Sequence, residues 1–149
     1  MKVFNLAFSA FIMLGIFACG KDKTSIQVPE EVLSACVLKY GDIKNAAWTS
    51  VADTVFVSSF VLERHAVSAF FDRTGRWLKS ETELRSSELP LVVVQTVINV
   101  FGGRKIKMAR LVYINNADPV YILSLKRGGK VEEITLSTGG VVLEDRSEK

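Results

Sequence analysis

Hydrophobic positions along the chain change their period several times, and each change marks an element. Val32, Leu33, Cys36, Val37 and Tyr40 recur at helical spacing between Pro29 and Gly41. Pro29 opens this run where its missing N–H costs nothing, Glu30 and Glu31 suit the positive end of a helix dipole, and Gly41 stops it. From 43 to 80 the period is two. Val55, Val57 and Ser59 alternate with Phe56, Ser58 and Phe60, Glu63-Arg64-His65 interrupts, and 66–71 resumes in β-prone residues. Asp72-Arg73-Thr74-Gly75 then turns the chain into Arg76-Trp77-Leu78-Lys79. With a short strand around Trp48, four strands follow one helix.

Residues 91–101 are rich in Val, and local propensity alone would favour a strand. Pro90 at the start, Gly102-Gly103 at the end, and Val94, Val97, Ile98 and Phe101 on one face predict a helix instead. Strands are expected at 105–114, 120–126, 130–135 and 141–144, separated by Asn115-Asn116-Ala117-Asp118-Pro119, Arg127-Gly128-Gly129 and Ser137-Thr138-Gly139-Gly140. The two halves share this plan. Each helix runs from a proline to an aromatic-glycine stop, Tyr40-Gly41 and Phe101-Gly102, and each half ends in a glycine-bearing turn. The offset between matching positions grows from 61 to about 65, as a short loop difference would produce. The expected fold class is α+β, a tandem duplication of a helix followed by a four-stranded antiparallel sheet, with repeats at about 29–85 and 86–149.

The first 18 residues break the pattern, since 14 of them are apolar. Lys2 followed by a short apolar run reads as a signal peptide, because a transmembrane helix wants about 20 apolar residues and this run stops near 16. Ile16-Phe17-Ala18-Cys19 resembles a bacterial lipobox, which makes Cys19 the lipidated mature N-terminus and 19–28 a flexible tether reaching at most about 35 Å. Cys36 is then the remaining thiol, expected as an inert core residue, so no intramolecular disulfide is available.

Composition changes its meaning once that segment is set apart. The chain is 48% apolar with a net charge of +3. Without the first 18 residues it is about 44% apolar and carries one positive charge fewer, ordinary for one globular domain. So small a charge excludes a strongly basic nucleic-acid binder, which would neutralise many phosphates.

Few residues suggest catalysis. His65 is the single histidine, the side-chain type most used for acid–base chemistry, but it sits in a polar break, where an exposed loop histidine is expected. No nucleophile elbow, zinc-protease helix, phosphate loop or Cys-x-x-Cys occurs, and one histidine with one spare thiol cannot build a common zinc site. Neither a cofactor nor a metal is expected. Lys105 and Lys107 belong to the densest positive run and are expected on one strand face, opposite Ile106 and Met108, either as a solvated face or facing an acidic partner or anionic headgroups. Trp48 and Trp77 are expected in the core under the helices. Tyr113 and Tyr121 flank the 115–119 loop and would form a partner-binding patch on an open sheet face.

The succession of a helix, Ala47-Trp48, the hairpin Phe70-Phe71-Asp72-x-x-Gly75-x-Trp77-Leu78, and Glu88-Leu89-Pro90 opening a helix that ends in aromatic-Gly-Gly resembles the PepSY-like, β-lactamase-inhibitor-like lipoproteins of bacteria. The resemblance covers about 31–143. It implies a duplicated α+β fold with helices on one face of a long antiparallel sheet, in an envelope protein whose relatives hold or restrain a hydrolase or peptidase. The expectation is therefore a non-enzymatic, membrane-anchored envelope lipoprotein that binds a protein or peptide through its sheet. A small-ligand-binding or assembly-supporting lipoprotein is the alternative.

Overall fold

Pro29 and Pro90 occupy matching places just before the two helices, with φ, ψ of −59°, 147° and −57°, 144°. Each carbonyl accepts the first helical hydrogen bonds, and each chain enters the helix from an extended conformation that proline favours. The computed structural model describes residues 26–145. The expected signal peptide, Cys19 and most of the tether lie outside the described residues, as do 146–149.

Helix α1 (Glu30–Tyr40) precedes β1 (Ala47–Val51), β2 (Val55–Leu62), β3 (His65–Asp72) and β4 (Trp77–Leu84). A single 3₁₀ turn (Ser86–Glu88) leads to α2 (Leu91–Phe101), β5 (Lys105–Ile114), β6 (Ala117–Arg127), β7 (Lys130–Ser137) and β8 (Val142–Asp145). The expected pair of four-stranded sheets is corrected here. β4 pairs with β5, Thr82 opposite Leu111 and Ser80 opposite Tyr113, so all eight strands form one antiparallel sheet in the order β1 to β8.

Both helices lie on the same sheet face. α1 buries Val32 and Cys36 against Phe56, Phe60, Val67, Ala69 and Phe71. α2 buries Val93, Val97 and Phe101 against Ala109, Tyr121, Leu123, Leu125, Ile134 and Leu136. Cross-strand pairs connect these two sets through Ser80, Thr82 and Leu84 of β4, which places them on one side. Trp48 and Trp77 pack against the first core, as expected, and remain partly exposed. Burial pushes the Cys36 thiol above its ordinary pKa, partly offset by Ser58. In α2 the buried stripe runs through Val93 rather than Ile98, which is 55% exposed; an almost uniformly apolar helix leaves the facing side to be chosen by its neighbours.

The two halves keep corresponding pairings. Phe56 lies opposite Phe71, and 65 residues later Tyr121 lies opposite Leu136. A register shift precedes the pair Phe71–Trp77, and the same shift precedes Leu136–Val142. The turns match as well. Asp72 Oδ1 and Ser137 Oγ accept a hydrogen bond from the backbone N–H four residues on, at Arg76 and Val141. The growth of the offset from 61 to 65 comes from a longer hairpin, since Val51 pairs Val55 across three residues whereas Val112 pairs Val120 across seven. The expected 115–119 loop is thereby corrected to the two-residue turn Asn115-Asn116, with Asn116 at φ 58° and β6 beginning at Ala117.

Candidate functional site

Because the helices cover one side only, the other side of the sheet is open. Its centre carries a charged ladder running across strands. Lys79 Nζ donates to Glu81 Oε1 at 2.6 Å, Arg110 Nη1 to Glu81 Oε2 at 2.8 Å, and Arg110 Nη2 to Glu133 Oε2 at 2.7 Å. Burial alone would raise the Glu81 carboxyl, but hydrogen bonds and charge from Lys79 and Arg110 outweigh it and hold the group below its ordinary pKa. Lys79 Nζ also stands 4.3 Å from the centre of the Phe70 ring. Beyond it, Val51, Val55, Phe70, Leu78 and Ile114 enclose a groove of about 360 Å³ whose walls are almost wholly apolar. The face thus combines fixed, paired charges with one apolar corner.

The expected site residues fall differently. Tyr121 is 8% exposed and belongs to the core under α2, with burial the main cause of its raised pKa. Tyr113 lies on the same helix-covered side, opposite Ser80, and is 47% exposed. Neither stands on the open face, which corrects that expectation; the lengthened β5–β6 hairpin placed them by pleat parity, not by proximity to the turn. Lys105 is exposed opposite Lys126, and Lys107 is exposed at a bulge. That bulge corrects the expected alternation. Ile106 pairs Leu125 on the helix side while Met108 pairs Ser124 on the open side, because one extra residue reverses every later position.

His65 is the first residue of β3 rather than part of an exposed loop, since Glu63 and Arg64 alone form the turn at positive φ. Its Nε2 lies 3.1 Å from Glu88 Oε1, and Arg85 also donates to Glu88 through its guanidinium and its backbone N–H. The Arg85 contacts, with a smaller contribution from His65, pull the Glu88 carboxyl down to about 2. These residues tie the first hairpins to the connection between halves.

A second depression, about 470 Å³, opens between the C-terminal end of α1 and strands β3 to β5, bounded by Lys39, Tyr40, His65, Trp77, Ser80 and Tyr113. Sequence patterning missed it, because residues from α1, β3, β4 and β5 meet there only through the order of strands. Among the described residues no three His, Cys, Asp or Glu side chains gather as metal ligands, and no helix is long and apolar enough to cross a membrane.

No family model and no curated protein sequence matches the chain. Solved structures do. A DUF2874 family protein from Bacteroides ovatus superposes with a TM-score of 0.75 at 16% identity, over 81% of this chain and 88% of its own. A Bacteroides eggerthii protein, assigned to the periplasm by name only, gives 0.73 at 18% identity over 80% and 88%. A BLIP-like protein from Bacteroides fragilis gives 0.75 at 19% identity over 86% and 94%. At these identities the likeness is one of architecture, and the chain has the BLIP-like fold, two helices on one face of an eight-stranded antiparallel sheet.

Proposed function

We propose that this chain is an exported, lipid-anchored envelope protein that holds a protein or peptide partner against the open face of its sheet and does no chemistry of its own. One observation carries the reading: the helices leave a whole sheet face free, and that face sets the apolar corner around Phe70, Leu78 and Ile114 beside the Lys79–Glu81–Arg110–Glu133 ladder. Paired backbone groups keep such a face rigid, so association orders little of it, and the apolar corner suits a single anchoring side chain of the partner. The likeness to a BLIP-like protein and to one assigned by name to the periplasm supports an envelope binding protein. The lipobox-like Ile16-Phe17-Ala18-Cys19 supports the anchor. Restraint of a hydrolase or peptidase is the activity this reading favours, and kinship with PepSY-like lipoproteins is part of it.

A tandem duplication is the origin we assign to the fold. The matching prolines, paired register shifts and identical turn hydrogen bonds support it, as two unrelated halves would have no reason to place a bulge at the same strand position.

The test uses the full lipidated chain. A partner retained by the wild type should be lost with Ile114→Asp, which puts a charge into the apolar corner, and kept with Ile98→Asp on the exposed side of α2. Loss with Ile98→Asp alone would move the site to the helices. Cys19→Ala should release the protein from the membrane fraction, and continued labelling by a fatty-acid probe would sink the anchor.

A further inference from the structure

We infer that the outer edge of β1 is a docking site for an extended, uncharged peptide segment of a partner protein, which joins the sheet there as a ninth strand, antiparallel to β1. That edge is a different surface from the open face, and its pairing groups are present whether or not the open face binds.

β1 ends the strand order and pairs only with β2. Strand parity fixes which of its backbone groups are left over. Glu63-Arg64 is a two-residue hairpin turn, so Leu62 and His65 exchange both their hydrogen bonds, and every second residue back along β2 also turns its backbone groups to β3. Ser59, Val57 and Val55 therefore turn theirs to β1, where Ala47, Thr49 and Val51 answer them. The N–H and C=O groups of Trp48 and Ser50 point outward, and among the described residues no turn or loop backbone bonds to them. Donor and acceptor pairs repeating about every 7 Å along a strand match one chemical partner, another extended backbone.

The second half of the molecule shows the same edge occupied. The pair Val51–Val55 matches Val112–Val120, so Trp48 and Ser50 stand where Ala109 and Leu111 stand in β5. Leu84 and Thr82 of β4 pair with those two residues, antiparallel. The architecture thus accepts a strand in this place, and at β1 no strand among the described residues takes it.

Side-chain chemistry narrows the occupant. Thr49 stands where Arg110 stands, and Arg110 meets the acidic Glu83 and Glu81 of β4. β1 carries no charge, no proline and no register shift, so it gives a charged strand no counter-charge and an uncharged one no obstacle. Val51 forms one wall of the apolar corner, and an apolar residue opposite it extends that surface. The far edge of the sheet is guarded instead, since β8 carries Glu144 and Asp145 among its four residues. Charge also opposes β8 of a second copy as the occupant. Repeating the β4–β5 register there, with Lys79 opposite Ile114, would bring Glu144 to Asp53.

The experiment follows the backbone amide resonances of the folded chain by NMR during titration with the acetylated and amidated peptide Ser-Val-Thr-Val-Thr-Val-Ser. Saturable shifts should centre on 47–51, largest at Trp48 and Ser50, with a millimolar Kd. Methylating the five central peptide nitrogens, which keeps the side chains, should weaken binding at least tenfold. Ser50→Pro, which deletes an outward N–H that the fold does not use, should do the same, the equivalent of one lost hydrogen bond. No saturable shift at 47–51, or shifts indifferent to methylation, would overturn the docking site. Tighter binding of the peptide with glutamate or lysine in place of its central valine would overturn the uncharged class. Shifts at 47–51 on concentrating the protein alone would overturn the inference by assigning the edge to a second copy.

Discussion

Gly75, in the turn between β3 and β4, lies directly under the backbone carbonyl of Glu31 in α1: a Cβ at this position would stand 2.5 Å from that oxygen. Gly140 bears the same relation to Val92 of α2, at 2.9 Å. Both glycines have positive φ, 83° and 80°. Each turn is therefore the seat of its helix, and glycine is required there twice over, by conformation and by space. Gly75→Ala should destabilise the domain by about 2–4 kcal/mol, left-handed strain plus overpacking against a backbone that cannot yield. Gly140→Ala should behave alike but more mildly. Gly128→Ala, also at positive φ but facing open space, should cost only about 1 kcal/mol. Denaturant midpoints of the three variants check the order, and equal losses at Gly75 and Gly128 would refute the seat.

Arg110 joins two carboxylates that belong to different halves, Glu81 on β4 and Glu133 on β7. All three side chains are partly shielded, with 26%, 15% and 39% exposure, so the pairs are worth more than surface ion pairs and less than fully buried ones. Arg110→Met should cost about 1–2 kcal/mol and raise the pKa of Glu81, which would keep Lys79 alone as its partner. Glu133→Gln should cost less, because Glu133 is the most exposed member. A double-mutant cycle of Arg110→Met with Glu81→Gln reads the coupling, and zero coupling would remove the ladder from the account.

Acid should weaken the connection between halves in a defined window. Glu88 has a carboxyl held at about 2, against an ordinary value of 4.5. Its folded pKa is depressed, so the stability it contributes is fully present above about pH 4.5 and is lost as pH falls toward 2. Subtracting the stability of Glu88→Gln from that of the wild type at each pH should give a difference that is flat above that window and shrinks within it. A difference independent of pH would show that the carboxylate does not matter to the fold.

Local chemistry made the elements legible. Pro29, Gly41, Pro90 and Gly102 bound both helices, and the Asp72 to Gly75 turn is where its residue types put it. Even the Val-rich α2 was readable, since its boundaries outweigh propensity. Faces were harder. The extra residue at Lys107 reverses the pleat between Ile106 and Met108, and no residue type announces a bulge. The 115–119 segment looked like a loop because Asp118 and Pro119 are poor strand formers, yet both lie in β6, carried there by pairing with β5. Merging of the halves depends on β4 meeting β5 across the whole of α2, a contact between distant segments that periodicity does not encode. The open-face ladder and the cleft beside α1 both sit on that seam, which is why neither could be assembled from motifs.

The proposed binding through the open face is best probed with a photo-crosslinking residue placed at single positions of the full chain. The positions are Leu78 or Ile114 in the apolar corner, and Leu91 or Ile98 on the exposed side of α2. One adduct of defined mass is expected from the sheet positions and none from the helix. Adducts from Leu91 or Ile98 with none from Leu78 or Ile114 would contradict it.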